Sequence, residues 1–469
     1  MPFLTSAERV VLTAVSRLVY ANPFLPERVA LERVILGRAF TAGGPVWSIQ
    51  VSDPEAERAN VWAIAAKTEA LVDKLRPRIG EASAAELVLY EDAVIHVLYQ
   101  RYYLRIVSAQ GRWGFYRDYA ADWAYYLGAT AARDGAAHMF ALYYQIQRAF
   151  HHIFSNIIGN SLSSAGLRAS VWQSIFTHDM ARYRRTMFAR MGDFATLITG
   201  PSGTGKELVA SAIAHSRYVP FDAVKLTFGA GESGVFHAIN IAALSPTLVE
   251  SELFGHMRGA FTGAVADRRG WLEACPALGS VFLDELGELD ASIQVKLLRV
   301  IETRMFQPVG STASRRFEGK LIAATNRDLA GEMQAGRFRE DFYYRLCSDQ
   351  IVTPPLREQL DDMRDLILYM AKRVAGEEGP ALAAEVEEYI AGHLDADYQW
   401  PGNYRELEQC VRNVLIRKSY RPLGGGKVEM SADELVTARC REVYRETGSY
   451  AVTARKLGLN WRTVKARVG

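Results

Sequence analysis

Cysteine is scarce in this chain: four in 469 residues, Cys275, Cys347, Cys410 and Cys440. No two are close enough for a CxxC pair, which argues against a disulfide framework or a zinc site and fits reduced thiols in a cytosolic protein. Long apolar runs are lacking too. No stretch of about 18 apolar residues is present, so no membrane span is expected. The first residues hold no basic segment followed by an apolar run, so no signal peptide is expected. Net charge is only +2, which excludes a chain that binds nucleic acid over its whole surface. What remains is 49% hydrophobic and 23% charged residues, an ordinary soluble balance, at a length that suggests two to four domains.

The even charge hides one local bias. From Ala451 to the end stand Arg455, Lys456, Arg462, Lys465 and Arg467, and no acidic residue. Residues 1–156 show helical spacing in Ala7–Leu18, Val61–Leu75 and Ala84–Ile106, broken by Pro23, Pro26 and Gly43-Gly44-Pro45. They are rich in rings, among them Tyr90, Tyr99, Tyr103, Trp113, Tyr116, Tyr143 and Tyr144. A core of amphipathic rings accounts for them; a ring-lined pocket for a ligand or partner is the sharper alternative. From residue 157 to 354, the β-branched or apolar runs Ala195–Thr199, Phe236–Asn240, Ser280–Leu283 and Lys320–Ala324 alternate with helical stretches. That alternation predicts a parallel sheet with helices on both faces. Residues 355–422 return to helical spacing, 423–432 contain the linker signal Gly424-Gly425-Gly426, and 433–469 form a small helical unit.

The segment GPSGTGKE comprises Gly200, Pro201, Ser202, Gly203, Thr204, Gly205, Lys206 and Glu207. It follows an apolar run and precedes the helical run Leu208–Ala214, the context of a P-loop. The glycines let backbone N–H groups face phosphate oxygens, the helix start adds its positive end, and Lys206 adds a charge for the outer phosphates. Glu207 stands where Ser or Thr usually meets magnesium. The apolar run SVFLDE then ends in Asp284 and Glu285. Ligands bind beyond the C-terminal ends of parallel strands, so this pair is expected beside the P-loop. Asp284 would hold Mg²⁺ and Glu285 would orient or deprotonate water. Together these point to ATP and Mg²⁺; a strand end followed by an acidic cap is the bland reading.

At this point the chain resembles the bacterial enhancer-binding proteins, AAA+ activators of sigma-54 RNA polymerase. The resemblance runs from about residue 158 to 415. It rests on GPSGTGKE, whose final Glu207 the family shares, on SELFGHMRGAFTGA with its signature Gly259, Ala260, Phe261, Thr262, Gly263 and Ala264, and on FREDFYYRL, PPLRE and WPGNYREL in order. It implies an AAA+ α/β domain with a helical lid. It also implies Asn240 restraining Glu285, Thr325 and Asn326 sensing the outer phosphate, and Arg339 and Arg345 as fingers reaching a neighbour's site. Arg405 would be a second sensor. Fingers supplied in trans imply a ring, a hexamer or a heptamer. Phe261 and Thr262 match positions that touch sigma-54, with Phe261 expected as an exposed ring. Two departures stand out: Met257-Arg258 replaces an acidic–basic pair, and Tyr218–Val235, with FGAGESG at Phe228–Gly234, is longer than usual and suggests a surface insertion.

The end of the chain resembles a Fis-type helix-turn-helix. Leu435–Tyr444 would be a support helix and Val452–Leu457 the next, with Gly458 at the turn. Trp461–Val468 would be the recognition helix, with Asn460 as its cap. Ala454 allows a close crossing; Leu457, Leu459 and Val464 would form the core. Arg462, Thr463, Lys465 and Arg467 would face double-stranded DNA at an enhancer-like site, and Trp461 either DNA or core. The expected place of action is the bacterial cytoplasm, on the nucleoid. Alternatives are an ATPase remodelling another protein, which has no use for GAFTGA, and a repressor with a relic ATPase domain, which would have lost Glu285, Arg339 or Arg345. No receiver-type phospho-acceptor arrangement marks residues 1–156, which are expected to carry the regulatory input.

Overall fold

Alternating β-branched and helical stretches predict a parallel sheet, and the computed structural model contains one. It describes residues 2–42, 54–128, 135–229, 234–395, 397–422 and 432–468. The expected break at Gly43-Gly44-Pro45, the glycine linker Gly424-Gly425-Gly426 and the middle of FGAGESG lie outside the described residues. The strands are β1 Thr196–Thr199, β2 Phe221–Asp222, β3 Thr227–Phe228, β4 Phe236–Asn240, β5 Ser280–Asp284, β6 Met305–Phe306, β7 Arg315–Arg316, β8 Lys320–Thr325 and β9 Asp349–Val352. Five of them form one sheet in the order β4-β5-β8-β1-β9, every pairing parallel. Central β8 is buried along its whole length, as a strand covered on both faces must be.

Helices α1 Ser6–Tyr20, α2 Pro26–Leu36, α3 Pro54–Leu75, α4 Ala84–Val107, α5 Tyr116–Leu127, α6 Ala136–Asn156 and α7 Leu162–Phe176 precede the sheet. Both α1 and α4 open with a capping box, Thr5 with Glu8 and Ser83 with Glu86. A short turn α8, Met180–Arg182, leads toward β1, and α9, Lys206–Ala214, follows it. Then come α10 Pro246–Phe254, α11 Trp271–Ala274, α12 Ala291–Thr303, α13 Leu329–Gln334 and α14 Glu340–Leu346. The last helices are α15 Met363–Ala375, α16 Gly379–His393, α17 Asn403–Arg417, α18 Ala432–Thr447, α19 Tyr450–Leu457 and α20 Trp461–Val468.

The chain divides into two compact units, residues 1–366 with 401–406, and residues 367–400 with 407–469. In the first, successive strand residues feed opposite cores, as the two-residue period requires. Leu197, Val281, Leu283 and Leu321 join one cluster with Ile293 and Leu297 of α12. Ile198, Phe282, Ile322 and Ile351 join the other, which runs without a break through α9 into the N-terminal helices as far as Phe3. The rings of residues 1–156 therefore serve a core that the sheet shares.

The stretch Tyr218–Val235, expected as a surface insertion, is different where it is described. β2 and β3 form an antiparallel pair that sets Phe221 opposite Phe228. Both rings are buried, Phe221 4.7 Å from Tyr116, and Phe228 4.8 Å from Trp113 and 4.2 Å from Tyr144. The turn at Val224 stands in solvent, at 93% exposure, and Pro220, Thr227 and Val235 are exposed as well. The pairing gathers two phenylalanines at one place, and burying them outweighs the polar character of the residues between. In the second unit, α18, α19 and α20 close on Cys440, Ala454 and Val464.

Candidate nucleotide site and partner loop

Three glycines shape the loop between β1 and α9. Gly200, Gly203 and Gly205 have φ of 147°, 79° and 82°, a region that side chains with a Cβ rarely adopt. Close approach adds a second demand: a Cβ on Gly200 would lie 2.2 Å from Thr353 Oγ1, and one on Gly203 2.4 Å from the Gly402 carbonyl. The Thr204 hydroxyl donates to the Pro201 carbonyl at 2.8 Å and pairs with Thr353 Oγ1 at 2.7 Å. Pro201, Ser202 and Glu207 are exposed at the rim. Lys206 is buried, and its ammonium donates to the carbonyls of Gly200 and Pro201, both at 3.0 Å. Burial lowers its pKa, while Glu285 and Asp284 pull it back up. The carboxylates of the β5 end therefore lie within electrostatic reach of the loop, two strands away across β8.

The register aligns the rest. Asn240 stands opposite Asp284 and Thr325 opposite Thr199, along one edge of the sheet. Asn240 Nδ2 donates to Asp284 Oδ2 at 3.4 Å, so its bond goes to the neighbour of Glu285. Glu285 sits in the left-handed region at φ 56°, and its N–H donates to Asp284 Oδ1 at 3.1 Å. Thr325 is fully buried and accepts from the Arg327 N–H at 3.1 Å; Asn326 is exposed. Within WPGNYREL, residues 403–405 bond to the P-loop from outside the sheet. Arg405 Nη1 donates to Ser202 Oγ at 2.9 Å, the Tyr404 N–H to the Gly203 carbonyl at 3.0 Å, and Asn403 Nδ2 to the Ser202 carbonyl at 2.8 Å. Sequence reasoning missed Asn403, which also accepts from the Leu356 N–H at 2.8 Å. Its only signal is an Asn after Gly, a residue that tolerates the φ of 53° it adopts.

Among the described residues no bond brings Arg339 or Arg345 into this cluster. Arg339 stands at the N-cap position of α14 and pairs with Asp341; Arg345, in the last turn of the same helix, pairs with Glu302 at 3.0 Å. Both guanidinium groups are largely exposed. Gln294, fully buried on α12, accepts from the Arg339 N–H at 2.9 Å and so fixes where that arginine leaves the surface.

The GAFTGA loop is compact. The Gly259 N–H donates to the Ala264 carbonyl at 2.8 Å and the Ala264 N–H to the Phe261 carbonyl at 3.0 Å. Gly259 and Gly263 have φ of 83° and 99° with open space where a Cβ would be, so conformation alone requires glycine there. Phe261, expected as an exposed ring, is half-buried: it packs edge-on against His256 at 4.9 Å. A lone ring on a short loop covers itself on the nearest apolar wall, and His256 is anchored there by Ser251 at 2.7 Å. Thr262 and Gly263 form the exposed tip, with Val265 beside them at 84% exposure; Ala260 is half-buried and Ala264 buried. The stem is held by Met257 N–H to Val309 O and Val309 N–H to Gly255 O, each 2.9 Å.

At the end of the chain, Gly458 adopts the left-handed conformation expected of it, and Asn460 Oδ1 accepts from the Arg462 N–H at 3.0 Å. Trp461, Arg462 and Lys465 are exposed, and Thr463 is half-buried. Arg467 does not belong with them. Its guanidinium donates to Thr437 Oγ1 at 3.1 Å, because position 467 is three residues beyond Val464 and shares its inward face.

Residues 177–352 match the model of the Sigma-54 interaction domain. The regulatory protein LuxO of Vibrio cholerae is 42% identical over 52% of this chain and 50% of its own length. The Nif-specific regulatory protein of Klebsiella pneumoniae is 42% identical over 48% of this chain and 40% of its own. The matches thus span half or less of these relatives' length. NtrX from Brucella abortus, solved in complex with ATP, is 22% identical with a TM-score of 0.44, covering 72% of this chain and 75% of that one. Residues 177–352 thus match a Sigma-54 interaction domain, and over about half of its length the chain is similar to these two regulatory proteins.

Proposed function

We propose that the chain hydrolyses ATP to remodel sigma-54 RNA polymerase from a closed to an open promoter complex, and that α18 to α20 bind DNA as a helix-turn-helix. The observation that carries the reading is α10. It begins six residues after Asn240, which bonds to Asp284 at the sheet edge, and ends at Phe254, directly before the GAFTGA stem. One short helix, about 13 Å long at the usual helical rise, thus links the segment that follows Asn240 to the stem of the loop.

The residues fit the group they would hold. Gly203, Gly205 and Lys206 offer N–H groups and a cation to phosphates at the start of α9. Asp284 would hold Mg²⁺. Mg²⁺ is commonly held by one or two carboxylates together with substrate phosphates. ATP would supply the bond whose hydrolysis drives the cycle, with Mg²⁺ screening its phosphates. Glu285 would take or orient the proton of the attacking water, Thr325 and Asn326 would sense the outer phosphate, and Arg405 would hold the P-loop rim through Ser202. Arg339 and Arg345 would serve a neighbouring subunit in a ring.

The test is Thr262→Ala in the purified chain. ATP hydrolysis should stay within about twofold of the parent, while open-complex formation on a sigma-54 promoter should fall more than about tenfold. An ATPase acting on some other protein would lose nothing specific to this promoter. Promoter opening that survives the substitution defeats the reading.

A further inference from the structure

The N-terminal helices enclose a cavity of about 540 Å³ that the ATP site does not use. Protein interiors hold few voids larger than a water molecule, and pockets for small molecules fall in this size range. Its walls are chiefly apolar and aromatic, drawn from α1, α2, α3, α4, α6, α7, α8 and the turn after α8. Tyr99 meets Tyr143 edge-on at 5.4 Å, and Phe150 meets Trp172 at 5.1 Å. A flat ring entering here finds both faces and edges to pack on. Trp62 and Leu104, 51% and 53% exposed, mark the entrance.

A second observation points to a ligand. His96 lines the cavity and is 8% exposed, and its Nε2 finds no hydrogen-bond partner among the described residues. A buried polar atom left unmatched costs free energy that a guest would recover. The charges nearby are already matched. Arg28 Nε pairs with Glu32 at 2.9 Å, and Arg184 lies 3.8 Å from Asp92, which also accepts from Ser16 and Tyr20. Each of these two cations therefore has a counter-charge beside it. Burial, with Arg28 close by, holds the His96 pKa down at about 4, so the imidazole is neutral at neutral pH. A hydroxyl can donate to one tautomer of that ring or accept from the other.

We propose that this cavity binds a small, neutral aromatic molecule carrying one hydroxyl group, which bonds to His96 Nε2, and that α6 passes its occupancy to the P-loop helix. The coupling rests on the nucleotide site of the preceding section; the binding does not. One side of α6 supplies Met139, Leu142, Tyr143 and Ile146 to the cavity. The other side caps α9. Gln145 Nε2 donates to the Ser216 carbonyl at 2.9 Å, and Arg148 donates to the carbonyls of His215 and Arg217. Tyr183, also in the cavity wall, bonds to the same Gln145.

The experiment titrates the full chain with 2-naphthol, naphthalene and 2-naphthoate, following ligand fluorescence. Saturable one-to-one binding of 2-naphthol is expected. Ile146→Trp fills the cavity and Leu104→Trp narrows its exposed rim; each should weaken binding at least about tenfold. The rim variant serves if the buried one fails to fold. His96→Phe should weaken 2-naphthol by roughly tenfold, one hydrogen bond's worth, and leave naphthalene unchanged. Preference for 2-naphthoate, no saturable binding to the folded chain, or binding untouched by both tryptophans overturns the site. Fluorescent ATP-analogue affinity is measured with and without 2-naphthol. A shift supports the coupling, and an unchanged value with 2-naphthol bound removes it. A chain that binds no nucleotide at all would refute the ATPase and leave the cavity result standing.

Discussion

His96 gives the residue scale its clearest pH signature. The folded chain keeps its ring neutral down to about pH 4, while an exposed histidine takes a proton near 6.5. As pH falls from 6.5 toward 4, the unfolded chain binds this proton first, and stability is lost over that window. Between pH 7 and pH 4.5, His96→Phe should therefore lose roughly 2–3 kcal/mol less than the parent in urea unfolding. Equal losses in the two proteins would contradict the burial of a neutral ring. Residues of this kind were not legible in the sequence, since an unmatched nitrogen exists only once α4 has been packed. The P-loop glycines were legible, because spacing alone demands their conformations. Phe261 and Arg467 were misread for one reason: each is an isolated side chain whose direction depends on a single neighbour, His256 or Thr437.

At the scale of elements, four of the five sheet strands were plain in their apolar runs. The fifth, β9, has the sequence Asp-Gln-Ile-Val with only Ile351 buried on it, too weak a pattern to stand out. The β2–β3 pair was hidden likewise, as two phenylalanines separated by six residues of mixed character. Nor could sequence show that α6 caps α9, since nothing links residues 145–148 to 215–217 until both are folded. That cap should be measurable. Arg148→Met removes two charged bonds to carbonyls at the end of the P-loop helix, at a cost of about 1.5–3 kcal/mol. Amide exchange at residues 213–217 should quicken more than exchange in β5. Uniform quickening would mean that the arginine supports the whole unit and not this helix end.

At the scale of the whole molecule, the parts proposed to act in catalysis are divided between surfaces. Lys206, Asp284 and Glu285 share one edge of the sheet, whereas Arg339 and Arg345 stand exposed on and beside α14, each resting on a carboxylate of its own chain. Exposed ion pairs hold weakly, so either arginine is easily released to another partner. If a neighbour's site is that partner, two inactive chains should repair each other. Lys206→Ala keeps an intact Arg339, and Arg339→Ala keeps an intact P-loop. Each alone should hydrolyse ATP poorly. Mixed in equal amounts and allowed to exchange subunits, roughly a quarter of the interfaces regain both parts in a closed ring, and hydrolysis should rise to that order. The steady-state rate of the mixture, set against the two separate variants, decides it. A mixture no faster than their average would place Arg339 outside the shared site, and the exposed position of α14 would then need another use.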